Sequence, residues 1–306
     1  MGSHQQNFIT GSELSGQQLV ELLNLSKKLV ARPEDYRHAL RNKHFVMLFE
    51  KPSLRTRASF EVGIEKMGGK VHFYDMQHSK IGQREPIVDL AQNLQQWYDA
   101  VIARVDEHQT LREIQTYCEL PVINALCDQF HPCQALADIF TLFEINEQLE
   151  DWHIAYVGDA NNVTRSLLVC ASLLNIEISV VTPKGNSFSN EEKNSWSEKN
   201  KGRIHFLSSA EQLEKCHVIY TDVWQSMGQQ KLTEEALLEL SSFQVNDSFM
   251  QRTKARYFMH CQPVHRGQEV TSEVCDGKQS LMYQQSRNRM IAQQALIYST
   301  FSGLIL

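Results

Sequence analysis

The stretch FVMLFEKPSLRTRASFEVGIEKMGGKVHFY, residues 45–74, decides the fold of this chain. Residues 45–49 form a short apolar run that suits a buried parallel strand. Apolar residues then recur at helical spacing until two glycines stop the helix, and residues 71–74 begin a second strand. This pattern predicts a βαβ unit of ordinary length, and therefore an α/β chain with parallel strands.

The joint between this strand and this helix, residues 53–57, reads Ser-Leu-Arg-Thr-Arg. A helix start offers unpaired backbone N–H groups and the positive end of the dipole, which bind phosphate or carboxylate oxygens well. Two hydroxyls and two guanidiniums suit the joint to a dianionic group, since arginine presents a planar fork of donors. The alternative is a solvated first turn whose arginines face water. Two cations at a helix start oppose its dipole, so a bound anion is the more economical explanation.

The composition limits the possible classes of protein. The 306 residues are 42% hydrophobic, enough for two domains of roughly 150 residues with their own cores. A formal charge of -6 and the absence of a Lys/Arg-rich block argue against a nucleic-acid-binding surface. No run of about 18 apolar residues occurs, so we expect no membrane span, and we likewise expect no secretion signal before the fold.

The seven cysteines are odd in number and scattered, with no Cys-x-x-Cys pair. This pattern favours a reducing cytoplasm over a disulfide framework or a structural zinc site.

The rest of the chain repeats the alternation of strands and helices. A helix capped by Ser15 is predicted to end before Pro33. Further strands are predicted at 99–103, 121–125, 154–157, 176–181, 204–207, 218–220 and 257–259, and helices at 87–97, 135–143 and 166–174. We therefore expect two doubly wound parallel-sheet domains joined by linking helices, 1–140 and 141–284, with a terminal helix at 285–306 packing back on the first.

Polar side chains follow the predicted strands of the first half. Arg104 sits at the end of one strand, His131 and Gln134 follow another, and residues 78–86, which include Lys80, form a polar loop. Ligands of open α/β sheets bind beyond the carboxyl ends of strands, so we expect these groups to converge with the Ser53 turn. The alternatives are a packed or capping His131 and a loop that is only surface decoration.

In the second half, residues 158–162 read Gly-Asp-Ala-Asn-Asn and lack G-x-G-x-x-G, so a dinucleotide site is poorly supported. Asp222 supplies a carboxylate after one strand, and Cys261 supplies a thiol at a tight turn after another. Neither has metal-like spacing. As alternatives, Asp222 caps a turn and Cys261 is a small buried apolar residue. Arg289 is expected at the beginning of the terminal helix, pointing toward the cleft between the domains.

Taken together, these motifs resemble the aspartate/ornithine carbamoyltransferase family in order and spacing, from about residue 8 to residue 306. The resemblance is closer to the ornithine members than to the aspartate members, which carry a basic loop late in the chain. Asp222 suits an acceptor with a free α-amino cation. The motifs that carry the resemblance are 53–57, Arg104, 131–134, 158–162, 222–228, 260–263 and 288–289.

The resemblance implies a role for each site residue. The residues expected to bind carbamoyl phosphate are Ser53, Leu54 through its backbone, Arg55, Thr56, Lys80, Arg104, His131, Gln134, Cys261, Gln262 and Arg289. The residues expected to bind L-ornithine are Asn162, Asp222, Ser226 and Met227. Those implied to be catalytic are Arg55, Arg104, His131, Cys261 and Arg289.

The implied reaction transfers the carbamoyl group to the δ-amine of L-ornithine, giving L-citrulline and phosphate, a step of arginine biosynthesis. It requires no metal and no organic cofactor, and the family is built on a trimer with sites shared between subunits. Two residues depart from the family pattern: Gln262 stands where leucine is usual, and Lys80 where many members have glutamine. A different acceptor (aspartate, putrescine or an acylated ornithine) and a non-catalytic metabolite-binding relative are the alternatives.

Overall fold

The computed structural model describes residues 7–200, 202–225 and 233–304. The chain divides into two compact units. The first contains the described residues up to Phe140 together with those from Asn288 onward, and the second is Thr141–Arg287.

The first unit is a four-stranded parallel sheet with strand order β2-β1-β3-β4. Its strands are β1 (His44–Phe49), β2 (Lys70–Asp75), β3 (Ala100–Arg104) and β4 (Val122–Leu126). Its helices are α1 (Gly16–Ala31), α2 (Leu54–Lys66), α3 (Ile87–Leu94), α4 (His108–Tyr117) and α5 (Pro132–Phe143), the last of which continues into the second unit.

The second unit is a five-stranded parallel sheet with strand order β7-β6-β5-β8-β9. Its strands are β5 (His153–Val157), β6 (Glu177–Val181), β7 (Ile204–Leu207), β8 (Val218–Thr221) and β9 (Tyr257–His260). Its helices are α6 (Asn162–Leu174), α7 (Asn190–Lys199), α8 (Glu234–Ser241), α9 (Asp247–Thr253) and α10 (Ser272–Asp276). Helix α11 (Met282–Ser302) begins in this unit and ends in the first.

The predicted α/β fold with parallel sheets is confirmed, and the βαβ unit β1-α2-β2 lies where the opening stretch indicated. Strand β1 is buried at every residue after its first, so its side chains face protein on both sides of the sheet. Helix α1 starts from a capping box on Ser15, as predicted.

Three helix boundaries differ from the prediction. Helix α3 ends at Leu94 and passes into a turn, three residues before the expected end. Helix α5 begins at Pro132, because the fixed φ of proline suits the first helical position. Helix α6 begins at Asn162, because the Asn161 side chain accepts bonds from the Val163 and Thr164 N–H groups and caps it.

Helix α11 also begins earlier than predicted, at Met282, so Arg289 is its eighth residue and not its first. All seven cysteines are free, and each except Cys261 is buried. Among the described residues, no helix combines the length and the apolar character that crossing a bilayer requires.

Candidate functional site

The first group of polar side chains lies where the strand order of the first sheet reverses. Strands β1 and β3 are neighbours there, with Phe49 in register with Arg104, and they are followed by loops that leave in different directions. Such a switch point is where open α/β sheets bind ligands. The register between β3 and β4 shifts between Ala103 and Arg104, an irregularity of the kind that re-aims a side chain beside a site.

A basic cluster, defined as Thr56, Arg104, His131 and Arg289, occupies this place. Arg104 Nη1 donates to Thr56 Oγ1 over 3.3 Å, and Arg289 Nη2 donates to the same oxygen over 2.8 Å. The two guanidiniums are only 6% and 5% exposed. Holding two buried cations close together is costly unless negative charge or a polarised oxygen joins them, so this arrangement favours an anionic ligand.

Thr56 is held in place by the helix cap beside it. Ser53 precedes α2 and accepts from the Thr56 N–H over 3.3 Å, while its own hydroxyl donates to Thr56 Oγ1 over 2.8 Å. Thr56 Oγ1 therefore receives three donors, although a hydroxyl has two acceptor lone pairs. A ligand oxygen entering the cluster would meet donors whose orientation Thr56 already fixes.

His131 completes the basic cluster at the start of α5. Arg289 Nη2 lies 3.1 Å from His131 Nε2. Since arginine can only donate, Nε2 accepts this bond and the ring proton is assigned to Nδ1. Burial, followed by the charges of Arg289 and Arg104, holds the pKa of His131 well below its ordinary value. The imidazole is therefore neutral at physiological pH and adds no third positive charge to the cluster.

Two further residues at the start of α5, Cys133 and Gln134, are buried. Gln134 Nε2 donates to Asp138 Oδ1 over 2.7 Å, and its backbone N–H donates to the His131 carbonyl, so the side-chain amide is held one turn along α5. Burial raises the pKa of the Cys133 thiol to about 12, with Arg289 opposing this rise. Cys133 is therefore a packed thiol and not a reactive one.

Three residues predicted to bind the phosphate do not join the basic cluster through their side chains. Arg55 is exposed and has no side-chain partner in the described part of the chain, and Leu54 is 81% exposed. Lys80 forms an ion pair with Asp106, which also pairs with Lys51 over 3.0 Å. Burial would raise the pKa of Asp106, but hydrogen bonds from Lys80 and Lys51 lower it below its ordinary value.

Glu50 is a residue of this region that the sequence reasoning missed. It directly follows β1 and is buried, and its two carboxylate oxygens accept from the Ile81 N–H (2.9 Å) and the Asp106 N–H (2.7 Å). One carboxylate thus fixes the backbone of the Lys80 loop and of the segment after Arg104. An acidic residue immediately after an apolar strand was the available sequence signal.

The second group lies at the corresponding place in the second sheet, where β5 and β8 are neighbours. This acid-thiol group is defined as Asn161, Asp222 and Cys261. Asp222 is buried; its Oδ1 accepts from Cys261 Sγ over 3.0 Å and from the Val223 N–H over 2.9 Å. Its Oδ2 accepts from Asn161 Nδ2 over 2.8 Å. The carboxylate is therefore oriented from both sides.

The structure brings together Asp222 and Cys261, as the sequence indicated, and adds Asn161, which the sequence reasoning passed over in favour of Asn162. Asn162 is the first residue of α6, adjacent to the cap. The predicted ornithine contacts Ser226 and Met227 lie outside the described residues.

The turn that carries Cys261 is supported by a buried pair behind it. His260 Nδ1 accepts from the Gln262 N–H over 2.8 Å, and Nε2 lies 3.3 Å from Glu269 Oε1, so both imidazole nitrogens have partners. Asp222, His260 and Cys261 place possible ligand atoms within 4.8 Å of one another. The hydrogen bonds already made by these atoms compete with a metal ion.

Gln262 departs from the family pattern, and the structure gives its side chain a partner. Its Nε2 donates to the Met282 carbonyl over 3.2 Å. Its φ is +65°, a left-handed conformation that is uncommon outside glycine. The amide thus anchors a strained turn to the start of α11.

The fold and the two groups define an enzyme-like α/β protein. A buried cationic site lies at the carboxyl ends of the strands in one sheet, and an oriented carboxylate with a thiol lies at the carboxyl ends of the strands in the other. The chain belongs to the aspartate/ornithine carbamoyltransferase family. Its residues 6–144 match the family's carbamoyl-P binding domain, and residues 150–300 match its Asp/Orn binding domain.

Individual relatives agree with this assignment. The chain is 45% identical over 299 residues to a protein of Shewanella oneidensis named ornithine carbamoyltransferase, covering 97% of this chain and 99% of the relative. The solved ornithine carbamoyltransferase of Pyrococcus furiosus superposes with a TM-score of 0.91 at 33% identity, covering 99% of both chains. That of Thermus thermophilus superposes with a TM-score of 0.86 at 35% identity, covering 97% of this chain and 99% of the other.

Proposed function

We propose that this protein transfers the carbamoyl group of carbamoyl phosphate to the δ-amine of L-ornithine, releasing L-citrulline and phosphate. The observation that carries the proposal is the basic cluster, in which two buried guanidiniums donate to one threonine hydroxyl and one of them also donates to a neutral imidazole. A site of this kind suits a small dianion that carries a polarisable carbonyl.

In this proposal the first unit binds carbamoyl phosphate. The start of α2, with the backbone of Leu54 and the side chains of Ser53, Arg55 and Thr56, holds the phosphate. The exposed Arg55 turns inward when the dianion arrives, while Arg104, already buried, is preorganised. Lys80 contributes to phosphate binding only after its ion pair with Asp106 is broken and replaced by one with the phosphate.

His131, Gln134 and Arg289 are proposed to hold the carbamoyl group. Attack by the amine converts the planar carbonyl into a tetrahedral intermediate whose oxygen carries negative charge. Fixed donors in a desolvated site stabilise that charge without reorganising, which is commonly the largest single contribution to catalysis. The neutral His131 fits this role because its remaining N–H, assigned to Nδ1, can donate to the oxygen without adding a third positive charge.

The second unit is proposed to bind the amino acid through Asn162, Asp222, Ser226 and Met227. The oriented carboxylate of Asp222 supports this, since an α-ammonium group pairs well with a carboxylate whose position is already fixed. Cys261, which donates to the same carboxylate, is proposed to lie beside the side-chain amine, with Gln262 contributing through its backbone carbonyl. The amine's proton passes to the departing phosphate or to a protein group.

The protein is further proposed to work in the cytoplasm, in arginine biosynthesis, as a trimer or a multiple of trimers with shared sites. The support is the family relationship and the reduced state of all seven cysteines. Sedimentation of the purified protein would test the trimer, and a monomer at assay concentration would refute it.

The test of function is a citrulline assay with purified protein, carbamoyl phosphate and a panel of acceptors: L-ornithine, aspartate, putrescine and N-acetylornithine. We expect ornithine to be strongly preferred, because aspartate carries a second carboxylate and no side-chain amine, putrescine lacks the α-carboxylate, and N-acetylornithine lacks the free α-amino group. Preference for N-acetylornithine would show that Asp222 does not recognise a free α-amino group. Absence of any carbamoylated product would refute the proposal.

A matched pair of variants on α11 separates catalysis from general damage to the helix. Arg289→Gln removes a guanidinium of the basic cluster, and we expect kcat/KM to fall at least about 100-fold. Arg287→Gln makes the same change two residues earlier, at a half-exposed arginine that pairs with Glu144. We expect this control to keep nearly full activity, and equal losses in both variants would contradict the assignment.

A further inference from the structure

A second cluster of ionisable side chains lies at the opposite end of the second sheet from the acid-thiol group. His153 and Glu177 are the first residues of β5 and β6, and His205 is the second residue of β7. These are the amino ends of the strands, whereas Asp222 and Cys261 follow carboxyl ends. The proposed transferase reaction makes no use of this His-Glu-His cluster.

The sheet register places the three side chains on one face. His153 is in register with Glu177, and His205 is in register with Ser179, two residues further along β6. Residues in register, and residues two apart on one strand, project to the same side of a sheet. Three adjacent parallel strands therefore present two imidazoles and one carboxylate together.

Both imidazoles lie near one oxygen of the carboxylate, at distances close to those between neighbouring ligands of one ion. His205 Nε2 lies 3.3 Å from Glu177 Oε1, and His153 Nδ1 lies 3.9 Å from the same oxygen. Two ligand atoms at about 2.0–2.1 Å from a tetrahedral zinc are roughly 3.3–3.4 Å apart. The ring centroids of the two histidines are 6.5 Å apart, so the half-exposed His205 ring must turn toward His153 to close the set.

His153 already has the support that a ligating histidine needs. Its Nε2 lies 2.8 Å from the Ser179 hydroxyl, which fixes the ring and leaves Nδ1 directed toward Glu177. A hydrogen bond to the second ring nitrogen is the usual way that proteins orient a metal-binding histidine. Burial lowers the pKa of His153, against the opposing effect of Glu177, so the ring is neutral and can coordinate at physiological pH.

We propose that His153, Glu177 and His205 bind a borderline divalent transition ion such as Zn²⁺, with solvent completing the coordination. Two imidazoles and one carboxylate are a ligand set that such ions accept. His217 and Arg203 are the other charged or titratable groups acting on His153. The positive charge of Arg203 opposes the ion, so the binding is moderate and displaceable. The ion ties together β5, β6 and β7 and stabilises the second unit.

The experiment is a calorimetric titration of the purified chain with ZnCl₂ in a Cys261→Ser background, which removes the only thiol that is not fully buried. His205→Gln and Glu177→Gln remove one ligand each, from positions that are 43% and 38% exposed in their side chains, so neither threatens folding. His72→Gln is the matched control, since it removes an exposed histidine from β2 in the other sheet.

We expect the background protein to bind one Zn²⁺ at this cluster and to melt at a higher temperature with the ion present, because a ligand that binds only the folded state stabilises it. Each ligand substitution should weaken this binding at least about tenfold, and His72→Gln should leave it unchanged. Absence of Zn²⁺ binding, or binding that survives both His205→Gln and Glu177→Gln, overturns the proposal. With Cys261 retained, the wild-type protein and His205→Gln should form citrulline at the same rate. The metal-site proposal and the transferase proposal are therefore tested independently of each other.

Discussion

Asn161 offers the sharpest test of how the acceptor site is organised. Its amide oxygen caps α6 by accepting from the Val163 and Thr164 N–H groups, and its amide nitrogen donates to Asp222 Oδ2 over 2.8 Å. One side chain thus couples the helix that carries Asn162 to the carboxylate proposed to bind the amino acid. Asn161→Ser keeps a capping oxygen, because serine and asparagine cap helices about equally well, but it removes the donor to Asp222.

The size of the effect follows from the partners of Asp222. The carboxylate accepts from the Asn161 amide, the Val223 N–H and the Cys261 thiol, and it is 6% exposed, so water cannot readily replace a lost donor. A hydrogen bond to a charged group contributes about 1.5–3 kcal/mol. At the upper half of that range, about 2.25–3 kcal/mol, kcat/KM for ornithine should fall by about 45- to 160-fold. KM for carbamoyl phosphate should change little, since the basic cluster is untouched.

The assay measures citrulline formation while ornithine is varied at saturating carbamoyl phosphate, and then the reverse. Asn246→Ser is the control: it makes the same substitution at the N-cap of α9, where the side chain accepts from the Phe249 N–H. Asn161→Asp keeps the cap but places a second carboxylate against Asp222, so it should be more damaging than Asn161→Ser. If Asn161→Ser leaves the ornithine KM within twofold, or if Asn246→Ser matches its loss, the coupling argument is wrong.

Further expectations follow from single contacts. Thr56→Val removes the hydroxyl shared by both guanidiniums and should lower kcat/KM for carbamoyl phosphate about 100-fold, measured by steady-state kinetics. Glu50→Gln weakens the acceptor for two buried N–H groups and should lower the free energy of unfolding in urea by about 1–3 kcal/mol, whereas the exposed Glu65→Gln should have no measurable effect. Because the pKa of His131 is depressed in the folded state, the unfolded chain binds its proton first as pH falls below about 6.5; stability should therefore decline on acidification by up to about 1.4 kcal/mol per pH unit from this group, and His131→Gln should make the decline shallower. Gln262→Leu loses only one hydrogen bond to a carbonyl and should change kcat and both KM values by less than about threefold.

The fold could be predicted from the sequence because parallel strands are buried on both faces. Strands such as 45–49 and 154–157 appear as short apolar runs, and glycines or capping residues mark the helices between them. Helix ends were less predictable. Whether α6 began at Asn162 or later depended on which neighbouring side chain satisfied the first N–H groups, and that depends on the backbone angle of Asn161.

The candidate site was predictable as far as strand ends determine it. Arg104 and His131 each follow a strand of the first sheet, and the switch-point rule brings them together. Partners distant in sequence were not predictable. Lys80 was expected at a phosphate, yet it pairs with Asp106, and Glu50 was not singled out although it is buried and accepts two backbone N–H bonds. In both cases the outcome depends on how two loops pack, which no local pattern encodes.

The two polar groups lie at equivalent places in their sheets but carry opposite charges. This difference in charge supports the proposed assignment of one substrate to each unit. Each lies where the strand order reverses, so each sheet offers one binding place. In the first unit that place holds Arg104 and Arg289, and a bound cation would be repelled there. In the second it holds Asp222, and a phosphate dianion would meet a buried carboxylate. The proposed assignment, with carbamoyl phosphate in the first unit and the ammonium group of the acceptor in the second, therefore agrees with the charges of the two places. Exchanging these charges should abolish the binding of both substrates and should not make them swap places.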